Sequence, residues 1–201
     1  MSLLGLTAGE LLDRFASAEP TPGGGSASAL AGALGASLVA MVCAMEKTRS
    51  GAPAERERLD ATLRRTREAG ERLRRLADDD SAAYDAVVAA YRQPRTTDEE
   101  KTARKQAVSR AMARATDVPR ETAQACLEVM RAAVEAATHG NPSALSDART
   151  AGALAWAGVL GALENVRINL GPQANAAALA ELDALVREAR ASVTALGLAF
   201  G

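Results

Sequence analysis

Apolar and small residues recur along the chain at helical spacing, and no stretch shows the alternation expected of a strand. In the segment 53–91 these positions advance in alternating steps of four and three, as along the seam of a helical bundle. The inward-facing stripe reads Leu59, Leu63, Thr66, Gly70, Leu73, Ala77, Asp80, Tyr84, Val87 and Tyr91. This spacing predicts one very long amphipathic helix.

Capping and breaking residues set the other helix boundaries. Capping-box patterns predict two helix starts, at Thr7 with Glu10 and at Thr97 with Glu100. Helices are expected over about 7–17, 27–47, 53–91, 97–138, 143–170 and 173–198, with Pro119 kinking or splitting the fourth. The sequence therefore predicts an all-α, antiparallel bundle of five to six helices, formed by 1–201 as one domain.

The composition narrows the class of protein. Only 2% of the 201 residues are aromatic, and the formal net charge of −1 gives no overall attraction to nucleic acid or an anionic membrane. Cys43 and Cys126 lie in separate helical stretches, so we expect buried apolar residues and not a disulfide. The first ten residues lack a signal-peptide pattern, and a cytoplasmic location is expected.

The uncharged segment 27–45 has about the length of a membrane span. It consists mostly of Ala, Gly and Ser, which contribute little transfer free energy. It also lacks the basic flanks and interfacial aromatic residues of a spanning helix. We therefore interpret it as a buried bundle helix and expect no membrane contact.

A glycine block precedes this helix and is the first candidate site. It comprises Pro22, Gly23, Gly24, Gly25 and Ser26, and its composition predicts a loop. Bare glycine backbone lets N–H groups approach a ligand closely, and a helix N-terminus favours an anion. The spacing is not that of a Walker A loop. A plain flexible turn explains the composition equally well.

Three polar residues stand among apolar neighbours within predicted helices. Asp80 falls on the inward stripe, where a buried carboxylate is costly unless it is paired. The alternative is that residues 78–80 form a solvated acidic patch. Asn165 and Asn169 are mid-helix amides, and we expect each to form a hydrogen bond with a specific partner.

Further polar residues stand at helix ends. Capping alone accounts for those that open the predicted fifth helix, which are Asn141, Ser143, Ser146 and Asp147. Lys47 and Arg49 follow the apolar helix, where positive charge complements a helix C-terminus. One histidine and two cysteines do not easily make a zinc site, and no metal is expected.

Four sequence blocks, in this order, resemble the formiminotransferase-cyclodeaminase C-terminal family over nearly the whole chain. They are PTPGGGS at 20–26, ADDDSAAY at 77–84, the GNP and SD motifs within 140–147, and NVRINL at 165–170. The family includes the cyclodeaminase domain of a bifunctional vertebrate enzyme and stand-alone bacterial methenyltetrahydrofolate cyclohydrolases. Many members carry a Thr-x-Gly-Lys/Arg segment where this chain has EKTRSG at 46–51, which looks like a stand-alone bacterial variant.

The resemblance implies a bundle that dimerises, with its site near the subunit interface. It also implies a tetrahydrofolate derivative as substrate and no bound prosthetic group. The family's chemistry passes through a tetrahedral carbon between N5 and N10, which needs a group to move a proton and an anion near the substrate cation. The expected catalytic residues are Asp80, Asp147 and Lys47. The expected substrate-binding residues are Pro22, Gly23, Gly24, Gly25, Ser26, Arg49, Asn141, Ser146, Asn165 and Asn169.

Hydrolysis of 5,10-methenyltetrahydrofolate to 10-formyltetrahydrofolate is the preferred activity. The first alternative is formimidoyltetrahydrofolate cyclodeaminase, in which N10 attacks a formimino carbon and ammonia leaves. The second is a helical interaction module without activity, although a scaffold would gain little from buried Asp80 and Asp147. A homodimer is also expected, because small residues at Ala27, Ala31 and Gly35 allow close helix approach and the helix over 53–91 exceeds the width of so small a bundle.

Overall fold

The computed structural model describes residues 2–171 and 175–198, which form helices joined by turns and loops and contain no strand. The α-helices are α1 Ala8–Ala16, α2 Gly24–Ala44, α3 Pro53–Tyr91, α4 Asp98–His139, α5 Leu145–Leu170 and α6 Ala176–Ala195. Short 3-10 turns occur at Leu3–Gly5 and Pro142–Ala144. The predicted all-α fold is confirmed.

Helices α2, α3, α4 and α5 form the core of the molecule. Helix α2 packs on α3 and α5, and α4 packs on the same two helices from the other side. Side chains from all four helices are fully buried between them, including Val39, Leu73, Met130 and Val159. Helix α6 packs on the outside of α4 and α5.

Small residues bring α2 and α5 close together. A Cβ atom at Gly35 would lie 2.8 Å from the carbonyl oxygen of Ala151, and one at Gly158 would lie 2.8 Å from that of Ser28. Cys126 is buried beside this contact as a free thiol, and burial raises its pKa to about 12. Cys43 is likewise free and buried, as predicted.

The boundaries marked by local signals are confirmed. The structure contains both capping boxes, and α3 begins and ends at the predicted residues. Helix α4 passes through Pro119 as one continuous helix, so the proline does not split it. The predicted start of the last helix at 173 lies outside the described residues, and Asn175 caps α6 through the backbone N–H of Ala178 at 2.8 Å.

Two predicted boundaries are wrong. Helix α2 begins at Gly24 and ends at Ala44, so the second half of the predicted glycine loop forms its first turn. Ser143 does not cap α5, because it lies in the preceding 3-10 turn and donates its own backbone N–H to the side chain of Asn141 at 3.0 Å.

The core helices differ greatly in length. At about 1.5 Å per residue, the 39 residues of α3 and 42 of α4 span roughly 58 and 63 Å, whereas the 21 of α2 span about 31 Å. Helices α3 and α4 therefore continue past the N-terminus of α2. Tyr84 and Tyr91, predicted to face inward, are 43% and 52% exposed as a result. The space beyond the first residue of α2 becomes a cleft.

Within the described chain, α2 is the one helix whose length and apolar character match those of a membrane span, and half of its most apolar window is buried inside the bundle. The helix contains no charged residue. Ala27, Leu34 and Met41 are exposed at seven-residue intervals, and we call these three residues the α2 outer face.

Candidate functional site

A cleft of about 350 Å³ lies beyond the N-terminus of α2, with walls from α3, α4 and α5. The bundle is open here because α2 is shorter than α3 and α4. The cleft is lined by several residues that were predicted from sequence to bind substrate or act in catalysis, namely Gly23, Gly24, Gly25, Asp80, Asn165 and Asn169.

Ser26 holds the carboxylate of Asp80 with two groups. Oδ2 of Asp80 lies 2.9 Å from the backbone nitrogen of Ser26 and 3.1 Å from its hydroxyl oxygen. The same hydroxyl lies 2.8 Å from the carbonyl oxygen of Ala77. Ser26 is fully buried and Pro22 is buried. Ser26 fixes the position of Asp80 through these contacts.

Gly25 leaves room for this carboxylate. A Cβ atom at Gly25 would lie 2.5 Å from the carboxyl carbon of Asp80, which is closer than two such atoms can approach. Gly24 differs, because its Cβ would point toward the cleft at an ordinary 3.7 Å from Nδ2 of Asn165. The two adjacent glycines therefore have different roles. Gly25 allows the Asp80 carboxylate to pack against α2, and Gly24 keeps the cleft open.

Burial raises the pKa of Asp80 above its ordinary value, and the hydrogen bonds from Ser26 oppose part of this rise. The carboxylates of the two preceding residues, Asp78 and Asp79, bind other partners. Asp78 accepts the backbone N–H of Leu3 at 2.7 Å, and Asp79 pairs with Arg114 at 2.8 Å. The three aspartates therefore do not form one solvated patch. Asp80 faces a cleft whose described lining contains no Lys, Arg or His.

Two amides of α5, at Asn165 and Asn169, line the same cleft. Nδ2 of Asn165 donates to the carbonyl oxygen of Gly161 at 2.8 Å, and Nδ2 of Asn169 donates to that of Ala115 in α4 at 2.6 Å. Carbonyl oxygens only accept hydrogen bonds, so these contacts take the nitrogen end of each amide. Oδ1 of each amide takes no part in these two bonds. The expected specific partners of both amides are confirmed.

Apolar side chains form the other walls of the cleft, from Tyr84, Val87, Met112 and Ile168. Ile168 is 74% exposed, which is unusual for a residue of its type. Apolar walls with a few oxygen acceptors suit a flat ring that carries N–H donors or positive charge. Ile168 and Met112 were not among the site residues predicted from sequence. The available signal was the position of Ile168 between two amides on one helix.

The remaining predicted site residues lie at the opposite end of the bundle. Lys47 and Arg49 lie between α2 and α3, and the residues at the start of α5 and just before it are Asn141, Ser146 and Asp147. From Asp147 to Asn165, α5 rises by about 27 Å at ~1.5 Å per residue. Within one chain the two groups therefore do not form a single site.

Part of this second group has structural partners. Nε and Nη2 of Arg49 donate to the carbonyl oxygens of Thr138 and Ala137 at 2.6 and 2.8 Å. Arg49 thereby closes the C-terminus of α4, which accounts for it without a ligand. Asn141 caps the turn before α5, as the capping interpretation expected. Lys47 and Ser146 are exposed, and Asp147 is half-buried.

A larger groove of about 470 Å³ between α3 and α4 is a weaker candidate, because several of its charges are paired. Arg72 contacts Glu128 at 2.8 Å, and Arg131 pairs with Glu188. The part of the chain that is described holds no group of three His, Cys, Asp or Glu side chains placed to bind a metal ion. The cleft at Asp80 is the stronger candidate.

The formiminotransferase-cyclodeaminase family model matches residues 7–188. The chain belongs to this family. Three of the four sequence blocks that carry the resemblance meet at the cleft, and the fourth, within 140–147, lies at the other end of the bundle.

Individual members of the formiminotransferase-cyclodeaminase family match the chain to different extents. A methenyltetrahydrofolate cyclohydrolase from Methylorubrum extorquens is 42% identical over 188 residues, covering 90% of this chain and 88% of that protein. A formimidoyltransferase-cyclodeaminase from Rattus norvegicus is 37% identical over 153 residues, which are 28% of its length. The crystal structure of formiminotetrahydrofolate cyclodeaminase from Thermotoga maritima has the same fold, with a TM-score of 0.83, 24% identity and coverage of 97% and 96% of the two chains.

Proposed function

We propose that this chain hydrolyses 5,10-methenyltetrahydrofolate to 10-formyltetrahydrofolate, acting as its Methylorubrum relative is named. The observation that carries the proposal is the half-buried carboxylate of Asp80, which Ser26 fixes at the wall of a cleft without basic side chains in its described lining. Such a carboxylate stabilises a bound cation. Because its pKa is raised, it also accepts a proton more readily than an exposed aspartate does.

The reaction consumes one water and releases one proton. Water adds to the cationic carbon between N5 and N10, and Asp80 accepts the proton that the water loses. The bond from carbon to N5 then breaks, N5 receives the proton from Asp80, and the proton of the new hydroxyl group is released to solvent. The formyl group stays on N10. These steps need only water and a proton acceptor, so we propose no prosthetic group.

The other residues of the cleft orient the substrate. Oδ1 of Asn165 and Oδ1 of Asn169 accept N–H groups of the reduced pterin ring, and the side chains of Tyr84 and Ile168 pack on its faces. The described lining of the cleft contains no cationic side chain that could bind the glutamate carboxylates of folate. We therefore place the pterin end inside the cleft and the glutamate end outside it.

Formimidoyltetrahydrofolate cyclodeaminase activity is the second candidate, since the chain is also 37% identical to the rat bifunctional enzyme over 153 residues. That reaction passes through a tetrahedral carbon at the same place, and Asp80 could serve either one. The cyclohydrolase is favoured because that relative matches over 88% of its own length, whereas the rat protein matches over 28%.

Assays of the purified protein with both substrates test the proposal. We expect loss of the methenyl absorbance with 5,10-methenyltetrahydrofolate and no ammonia from the formimino substrate. Release of ammonia alone would select the cyclodeaminase. If neither substrate reacts and no folate raises the melting temperature, the chain is an interaction module, because a ligand specific for the native state must raise it.

We also propose a cytoplasmic homodimer that joins the two groups of predicted residues. The α2 outer face is apolar along the whole helix, and Leu34 lies at its midpoint. A two-fold axis near Leu34 would set the two α2 helices antiparallel. The Lys47 end of one copy would then lie beside the Asp80 cleft of the other, where Lys47 and Asp147 could complete the site.

Mixing two inactive variants tests this shared site. In a homodimer of Asp80→Asn every site lacks Asp80, and in a homodimer of Asp147→Asn every site lacks Asp147. In a hybrid dimer one site carries both changes and the other carries neither, so a randomly exchanged mixture should recover about one quarter of wild-type activity. If the mixture stays inactive while the hybrid is present by mass, the site does not combine these two residues from different chains.

A further inference from the structure

Helix α4 contains a buried proline in its interior, at Pro119. Proline has no backbone N–H, so the carbonyl group four residues earlier, at Ala115, loses its helical donor. The proline ring also presses against that carbonyl and turns it away from the helix axis. Interior prolines are costly in helices, so a benefit elsewhere is expected where one is kept.

The carbonyl oxygen of Ala115 has a donor on another helix. Nδ2 of Asn169 in α5 lies 2.6 Å from it, and both residues line the cleft at Asp80. This bond takes the nitrogen end of the amide, and Oδ1 is left as its acceptor end. Without the freed carbonyl, the amide could rotate and present its nitrogen to a ligand instead.

We infer that Pro119 is a positioning residue for substrate binding: it frees the Ala115 carbonyl to hold Asn169, whose oxygen then accepts an N–H of the reduced pterin ring. The inference rests on the proposed function for the identity of the ring. Asn165 lies one helical turn earlier with its nitrogen bonded to Gly161, and the inference pairs its oxygen with that of Asn169 as two acceptors along α5. A ring with two neighbouring N–H donors fits such a pair.

A substitution at Pro119 should therefore act through Asn169. In Pro119→Ala the N–H of residue 119 returns and the Ala115 carbonyl turns back toward its own helix. We expect the dissociation constant of 5-formyltetrahydrofolate, an unreactive probe, and the KM for the methenyl substrate to rise about tenfold, with kcat changed less. The melting temperature without ligand should change little, because the bond from the N–H of residue 119 replaces the one from Asn169. A merely structural proline would not give weaker binding in a protein of unchanged stability.

A double-mutant cycle separates this mechanism from a general change in α4. Asn169→Ala should raise the dissociation constant of the probe by a similar factor. Adding Pro119→Ala to this variant should raise it no further. Pro53→Ala is the matched control, because Pro53 opens α3 at the other end of the bundle and its N–H would have no helical partner. It should bind the probe as wild type does.

Wild-type affinity in Pro119→Ala, or effects of the two variants that multiply, would overturn the inference. The binding measurement needs no turnover, so the two proposals fail separately. A protein that hydrolyses methenyltetrahydrofolate while Pro119→Ala binds normally refutes the positioning role alone. If the wild-type protein does not hydrolyse methenyltetrahydrofolate but Pro119→Ala binds the probe more weakly, the proposed activity alone is refuted.

Discussion

Oδ2 of Asp80 lies 2.9 Å from the backbone nitrogen of Ser26, and this contact joins the middle of α3 to the first turn of α2. The first N–H groups of a helix have no acceptor within it, and the N-cap residue of α2, Gly23, has no side chain to supply one. Asp80 therefore caps α2 from a neighbouring helix. One carboxylate oxygen is fixed by the backbone of α2, and the other is available to the cleft.

Asp80→Asn should lower kcat at least 100-fold, in the range of ~10²–10⁴ for the loss of a general base. Asparagine has nearly the same shape and can still accept from Ser26, so folate affinity should change much less. The melting temperature should not fall, because a buried carboxylate is replaced by a neutral group. Steady-state kinetics and melting curves with and without folate measure all three quantities.

The matched control for this variant is Asp79→Asn, the same change one residue earlier. Asp79 pairs with Arg114 at 2.8 Å, and both side chains are 46% exposed, so kcat should stay at the wild-type value. Wild-type kcat in Asp80→Asn would show that this carboxylate does not move the proton. Lys47 would then be the next residue to test.

Ser26→Ala should move the acidic limb of the kcat/KM profile to higher pH. Burial raises the pKa of Asp80, and the hydrogen bonds from Ser26 lower it. Removing the hydroxyl group leaves burial less opposed, so the pKa rises further and a higher pH is needed to ionise the base. Activity measured against pH in both proteins gives the shift.

The same pKa has a consequence for stability. Because the folded-state pKa exceeds the ordinary 3.8, Asp80 contributes most to the free energy of unfolding below that pH, and the contribution falls as pH rises through the folded-state pKa.

Ser37→Ala is the control for Ser26→Ala, because it removes a hydroxyl bonded to Ala33 on the same helix. It should leave the pH profile of kcat/KM unchanged. A profile that does not move in Ser26→Ala would contradict the role of Asp80 as the base.

Local signals predicted the helices well because they act over a few residues. Pro53 and the four-three spacing gave the bounds of α3, and each capping box needs only residues three apart. The same spacing placed Asp80 on the inward stripe before any contact was known. Its burial next to Ser26 follows from that register, although the identity of its partner does not.

Features that depend on distant residues could not be read from the sequence. Gly24 and Gly25 have the composition of a loop, yet they form a helical turn because Asp80, 54 residues after Ser26, supplies the cap. Tyr84 lies on the stripe but is exposed, because α2 has already ended at that level.

The separation of Asp147 from Asn165 could have been predicted from sequence. Both were assigned to one predicted helix, 18 residues apart, and an α-helix rises by about 27 Å over that length. Two such residues cannot contact one small substrate centre within a single chain. Their apparent membership of one site comes from the family resemblance, and it leads directly to the proposal of a shared site between two copies.

Gly25→Ala and Gly24→Ala should have opposite outcomes. A methyl group at residue 25 would overlap the Asp80 carboxylate, so we expect a lower melting temperature and loss of most activity. At residue 24 it would lie 3.7 Å from the Asn165 amide, which is an ordinary contact, and stability should be kept. The larger Gly24→Val should fill part of the cleft and weaken folate binding. Normal activity in Gly25→Ala would show that the carboxylate need not lie where it does.

Leu34→Glu should convert a dimer into single chains. Leu34 is 56% exposed at the centre of the α2 outer face, and a two-fold contact there would bring two new carboxylates together in an apolar interface. Light scattering should give twice the 20.7 kDa chain mass for wild type and one chain mass for the variant, with activity lost if each site needs Lys47 or Asp147 from the other copy. Leu179→Glu is the control, since Leu179 is 42% exposed on α6, away from this face, and should stay dimeric and active. A wild-type mass of one chain at assay concentration, or full activity in a monomeric Leu34→Glu, would mean that the Asp80 cleft works within a single chain.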